Sequence, residues 1–173
     1  MQMYLTSENW KEWVAKLDLR TCLPCRMLHG KIFSADDISI PKELHFFCRC
    51  VVQKLHALTA GTATRKGRDG ADWELFNSGR LPNYYITKKE ARKLGWKNWL
   101  GNLGRVAPRK MLGGDIYKND DGKLPDAPGR IWYEADINYS GGYRERERIV
   151  YSNDGLIFVS YTHYTTFVEI VGG

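Results

Sequence analysis

Cysteine is absent after position 50: all four, Cys22, Cys25, Cys48 and Cys50, lie in the first third of a 173-residue chain. The rest of the chain must therefore stand on its hydrophobic core, without disulfides. No apolar run approaches the roughly 20 residues of a membrane-spanning helix, and residues 1–16 lack the apolar centre of a secretory signal. These absences lead us to expect action in the cytoplasm of a producing or a target cell. Acidic residues are outnumbered, 20 Asp+Glu against 26 Lys+Arg, and the net charge of +6 favours an anionic partner. Basicity of that size does not by itself single out nucleic acid. The 43% hydrophobic content is ordinary for a globular protein, and the length allows one domain with an appendage.

The most informative stretch is 130–164. Ile131, Tyr133, Ala135 and Ile137 alternate with Trp132, Glu134 and Asp136, the pattern of a strand with two distinct faces. Tyr139-Ser140-Gly141-Gly142 is turn chemistry. The chain returns through Arg144 to Tyr151, turns again at Ser152-Asn153-Asp154-Gly155, and continues as a third strand from Leu156 to Tyr161. Such a meander predicts one charged face, carrying Glu134 and Asp136 near Arg148, and one apolar face. Each charge taken singly reads as part of a solvated sheet surface whose salt bridges contribute little. A carboxylate, the guanidiniums of Arg144, Arg146 and Arg148, and His163-Tyr164 beyond the third strand together suit acid–base phosphoryl chemistry without a metal.

Elsewhere, Thr6 or Ser7 as N-cap and Trp10, Trp13, Val14 and Leu17 at helical spacing predict a short amphipathic helix over 6–17. Cys22 and Cys25, then His45, Cys48 and Cys50, have the spacing of a structural zinc site. Two disulfides in an exported protein and free buried thiols are the other readings of those cysteines. Residues 59–68 are small, polar and basic, and read as a linker. Asp69 or Asp72 is expected to cap a helix stopped at Gly79, Thr87 and Glu90 form a capping box for a second ended by Gly95, and a third runs over 102–106. Strands follow at 111–117, in the meander, and at 166–171. The expected fold is α+β: N-terminal helices, then a five-stranded antiparallel sheet, preceded by a small Cys/His segment. The expected division is 1–58 as a Cys/His module, 59–68 as linker, and 69–173 as the main domain.

Over about residues 69–170 the chain resembles the barnase-type, guanyl-preferring microbial ribonucleases. The resemblance rests on Leu81-Pro82, Tyr85-Ile86-Thr87-Lys88, Glu90-Ala91, Leu94-Gly95-Trp96, Gly101-Asn102-Leu103, Val106-Ala107-Pro108, Gly113-Gly114-Asp115-Ile116, Gly122-Lys123-Leu124-Pro125, Glu134-Ala135-Asp136-Ile137-Asn138-Tyr139 and His163-Tyr164. It implies a metal-independent endoribonuclease toxin that cleaves single-stranded RNA 3′ of guanosine, with a 2′,3′-cyclic phosphate as product. Glu134 is then the base and His163 the acid. Lys88, Arg144 and Arg148 stabilise the phosphate, Asn119 and Asp121 read the base, Tyr164 stacks on it, and Asp115 and Asp136 support. No cofactor is implied for catalysis, and an acidic barstar-like inhibitor and a monomeric state are. Asp121 stands where the family has glutamate, Asp120 where it has arginine, and Gly155 and Gly79 where it has tryptophan and histidine.

The N-terminal part resembles the Cys/His module of phage Mu-type head morphogenesis proteins, through Cys22/Cys25, His29-Gly30-Lys31-Ile32-Phe33, Pro41 and His45/Cys48-Arg49-Cys50. That resemblance supplies the alternative function, a non-catalytic phage-head adaptor whose nuclease fold only binds nucleic acid or protein. A zinc-dependent nuclease is a third option, disfavoured because a closed Cys/His site leaves no open position for substrate.

Overall fold

A computed structural model describes residues 4–40 and 44–173. Pro41, one of the motif positions above, lies outside them. In chain order the elements are β1 (Leu5–Val14), α1 (Leu23–Leu28), β2 (Ile32–Ser34), β3 (Val51–Thr59), α2 (Ala71–Ser78), β4 (Tyr85–Ile86), α3 (Lys88–Lys93), α4 (Leu103–Val106), β5 (Met111–Tyr117), β6 (Trp132–Asp136), β7 (Arg148–Ser152), β8 (Ile157–Ser160) and β9 (Val168–Val171). Single 3-10 turns lie at Gly67–Asp69 and Asn98–Leu100. No helix among the described residues is long and apolar enough to cross a membrane.

The expected fold, N-terminal helices before a five-stranded antiparallel sheet, is overturned. The described residues form one mixed sheet of nine strands in the order β2-β1-β3-β9-β8-β7-β6-β5-β4, with four short helices. The β3–β9 and β4–β5 pairings are parallel and the others antiparallel. The segment expected as a helix over 6–17 is strand β1. Its helical spacing is misleading for a physical reason: the pairing with β3 shifts register between Thr6 and Lys11, so the alternation of buried positions is broken partway along. Trp10, Trp13 and Val14 are also aromatic or β-branched, and a partner strand favours them in extended backbone. Trp13 is fully buried and Leu17, the last residue of the supposed stripe, is exposed.

Both faces of the sheet are covered. Leu58, Ala135, Ile149, Val159 and Ile170 face α2, which contributes Ala71 and Leu75. Trp132, Val150 and Phe158 face the opposite way and pack with Ile32, Leu55, Leu124 and Phe167. Glu134 pairs with Val150 and Asp136 with Arg148, so the face expected to be charged is apolar at one end and ionic at the other. That division places the charges at the edge of a dry core.

Local rules hold at α3, where the Thr87 hydroxyl accepts from Glu90 N at 3.2 Å and the Glu90 carboxylate accepts from Thr87 N at 2.8 Å. At α2 the N-cap is Gly70, not Asp69 or Asp72. Asp72, 0% exposed, instead turns back to accept from Gly61 N (2.8 Å), Ala63 N (2.9 Å) and Thr64 Oγ1 (2.9 Å), and so holds the turn after β3. Asp72→Ala would strand the buried N–H of Ala63 and the part-buried N–H of Gly61. We expect a loss of about 2–4 kcal/mol, read from urea unfolding; a loss under about 0.5 kcal/mol would show that the turn does not depend on this carboxylate.

Candidate active site

Glu134 lies mid-strand in β6, beside Asp115 of β5 and Val150 of β7, and is 9% exposed. Both of its oxygens are engaged: Lys88 Nζ forms a hydrogen-bonded ion pair with Oε1, and the Tyr164 hydroxyl donates to Oε2. Burial pushes its pKa up, but the Lys88 and Tyr164 hydrogen bonds and the Lys88 and Arg144 charges outweigh that. The carboxyl is held below its ordinary value of 4.5. Lys88 is the first residue of α3, so the capping box sets where its side chain starts. Its backbone N–H donates to Asp115 Oδ2 at 2.9 Å, so Asp115 anchors the start of the helix.

Asp136, 2% exposed, sits between two guanidiniums. Arg144 grips it with two hydrogen bonds of 2.7 Å, and Arg148 Nε lies 3.0 Å from Oδ1 as a charge contact. Arg148 also donates to the carbonyls of Glu145 (2.6 Å) and Glu147 (2.8 Å). Two cations on one anion leave an excess positive charge, and carbonyl oxygens and Asp136 hold it in a fixed direction. Arg146 points outward and is exposed.

His163 and Tyr164 follow β8 with φ of 55° and 67°, consecutive left-handed residues in a tight loop. Ser160 Oγ accepts from Tyr164 N at 2.8 Å and fixes the turn. His163 is exposed, and its pKa is lowered below the ordinary 6.5, first by burial of part of the ring and then by Arg148, Arg144 and Arg146; Glu134 opposes. Glu134, His163 and Tyr164 open on one groove of about 540 Å³ that is also lined by residues 116–121, Lys123 and Thr165. The carboxylate and the imidazole thus share one surface.

The 117–124 loop closes the groove. Asn119 has φ of 52°, and its side-chain amide bonds both the N–H and the carbonyl of Leu124 at 3.0 Å. That side chain organises the loop. Asp121 is half exposed, 3.9 Å from Lys123 Nζ. Sequence reasoning missed Tyr117, which stacks on Tyr164 at 4.9 Å, and Lys123, which donates to Thr165 O at 3.0 Å. Lys123 lies within a quoted motif, but nothing in that motif shows that it ties this loop to the His163 loop.

A second cluster lies in the N-terminal part. His45 Nε2 is 3.1 Å from Cys22 Sγ and 3.4 Å from Cys25 Sγ; Cys25 Sγ is 3.7 Å from Cys48 Sγ, and Cys50 joins Cys25 and Cys48 in a second trio. None of the four cysteines is in a disulfide. His45 Nδ1 lies 2.9 Å from Phe46 O, so the tautomer that donates there leaves the Nε2 lone pair facing the thiols. Soft sulfur donors and one imidazole within reach of a common point suit a tetrahedral ion.

A family model described as ribonuclease matches residues 70–171, and one described as Phage Mu protein F like protein matches residues 2–53. The chain is 51% identical over 102 residues to a ribonuclease of Heyndrickxia coagulans, a span of 59% of this chain and 94% of that relative. Ribonucleases of Bacillus intermedius and Bacillus pumilus are 51% identical over the same length, in which the chain covers 63% of each. A match over more than half of its length makes the chain a member of the ribonuclease family, an endoribonuclease.

Proposed function

We propose that the groove cleaves single-stranded RNA, with preference for the bond 3′ of guanosine, by transphosphorylation. The observation that carries this is that one groove is lined by both His163 and Glu134, whose carboxyl is held below its ordinary pKa. Glu134 takes the proton of the 2′-hydroxyl, whose oxygen attacks phosphorus. His163, protonated, gives its proton to the departing 5′-oxygen, and a 2′,3′-cyclic phosphate results. Water then opens the ring with the two roles reversed. Lys88, Arg144 and Arg148 meet the extra charge of the pentavalent phosphate, which in such reactions is usually the larger contribution. Tyr164, already stacked on Tyr117, offers a surface for a base, and Asp121 can accept from a guanine edge at the end of the loop organised by Asn119.

The same reading assigns labour along the chain, with a Cys/His part to about residue 58 and an RNA-cleaving part from about residue 69. In the first, four of Cys22, Cys25, His45, Cys48 and Cys50 would hold a structural zinc ion that staples a small core around Trp13. An enzyme of this kind acts as a toxin. An acidic, barstar-like inhibitor is its fitting partner, since it would meet the positive charge of Lys88 and Arg144 beside the groove.

Glu134→Ala should lower cleavage of a guanosine-containing dinucleotide by about 10²–10⁴-fold, with a chelator leaving the unsubstituted chain's turnover unchanged. Cyclic phosphate release that stops in chelator would overturn the mechanism. The pH dependence of kcat/KM should be bell-shaped: activity rises as Glu134 ionises, below 4.5, and falls as His163 loses its proton, below 6.5. A His163→Ala variant that keeps the alkaline limb would remove His163 from the acid's role. Elemental analysis should find about one zinc ion per chain, and Cys25→Ser, in the residue common to both trios, should lose it and lower the thermal midpoint. Metal-free protein with an unchanged midpoint would argue for plain buried thiols.

A further inference from the structure

We infer that the Cys/His part of the chain positions both loops of the RNA groove, through Gly30 and Ile32. This rests on the groove being the site of cleavage. Ile32 belongs to β2 at the sheet's outer edge, yet its N–H donates to Lys123 O at 2.8 Å, in the loop that contains Asn119 and Asp121. Gly30 lies against the other loop: a Cβ there would run into the carbonyl oxygen of Thr165, one residue beyond Tyr164. Gly30 has φ of 77°, a conformation that favours glycine, so close approach and backbone shape ask for the same residue.

The support behind these two points is rigid. Trp13, 0% exposed, receives Gly30 N on its carbonyl at 2.9 Å and donates its own N–H to Lys31 O at 3.0 Å. Its side chain packs in one core cluster with Cys25 and Cys50. Ile32 and Leu55 are buried together with Leu124, and Tyr117 and Tyr164 rest on that cluster. Lys123 closes the circuit by donating to Thr165 O, at 3.0 Å, so the two loops are also tied to each other. A tether that ends on backbone carbonyls of loops 119–124 and 163–165 fixes where Asp121 and His163 can stand. Gly30 and Ile32 touch no reacting atom; they are positioning residues.

The test uses the full chain and a guanylyl dinucleotide, with rates normalised to folded protein by near-UV circular dichroism. Gly30→Ala displaces the Thr165 carbonyl and should lower kcat roughly ten- to a hundredfold with a smaller change in KM. Ile32→Pro removes the N–H to Lys123 at an edge position where no ladder bond is lost. It should raise KM and shrink the preference for guanylyl over adenylyl dinucleotide, about tenfold each. Phe33→Ala, in the same strand but packed toward the cysteines, should lower the thermal midpoint while kcat and KM stay as in the unsubstituted chain. Wild-type kinetics in folded Gly30→Ala, or the same loss in Phe33→Ala, would overturn the positioning role. No cleavage by the unsubstituted chain would instead overturn the proposed function, a separate result.

Discussion

A carboxylate kept ionised in a mostly buried position is the constraint that organises the ribonuclease part of this chain. Glu134 is 9% exposed, and burial alone would favour its neutral form. Lys88 and Tyr164 reverse that balance, and each needs a structure of its own to arrive. Lys88 depends on the capping box of α3 and on Asp115, which pins the helix start to β5. Tyr164 depends on two consecutive left-handed residues and on Ser160 Oγ. Three separate elements of the fold therefore converge on one side chain.

The second ionic group shows a different balance. Asp136 and Arg148 are almost wholly buried, where an ion pair repays its desolvation only with good geometry and further hydrogen bonds. The paired bonds from Arg144 and the carbonyls that receive Arg148 supply most of them, while Arg148 Nε makes a charge contact with Asp136 and no hydrogen bond. The outcome is a fixed positive field beside the groove, which adds to partial burial of the ring in lowering the affinity of His163 for its proton. Arg144 acts on both groups, lowering the pKa of Glu134 together with Lys88 and Tyr164, and that of His163 together with burial, Arg148 and Arg146.

The N-terminal part extends the sheet through the parallel β3–β9 pairing and does not hang from it. Its residues Ile32 and Leu55 complete a core begun by Trp132, Val150 and Phe158, which would otherwise be an apolar face open to water. None of this could be read from residues 5–14, where a shift in register scrambles the alternation and leaves a spacing that imitates a helix. The helix expected there failed because period-based reasoning assumes a regular partner. Asn119 is a related case: its place in the 117–122 loop is legible, but its two bonds to Leu124 are visible only once the loop is closed.

What the amino-acid order determined by itself was local chemistry: the capping box at Thr87 and the alternation through β6, each set within a few residues, and the Cys-x2-Cys and His-x2-Cys-x-Cys spacings. It also carried, through its motifs, membership of the ribonuclease family. Only the tertiary structure decided that nine strands share one sheet, that Lys88 reaches Glu134 across 46 positions, and that Gly30 abuts Thr165. Those contacts join segments far apart in the chain, whose meeting is set by packing and by backbone hydrogen bonding over the whole fold, and no local pattern encodes them.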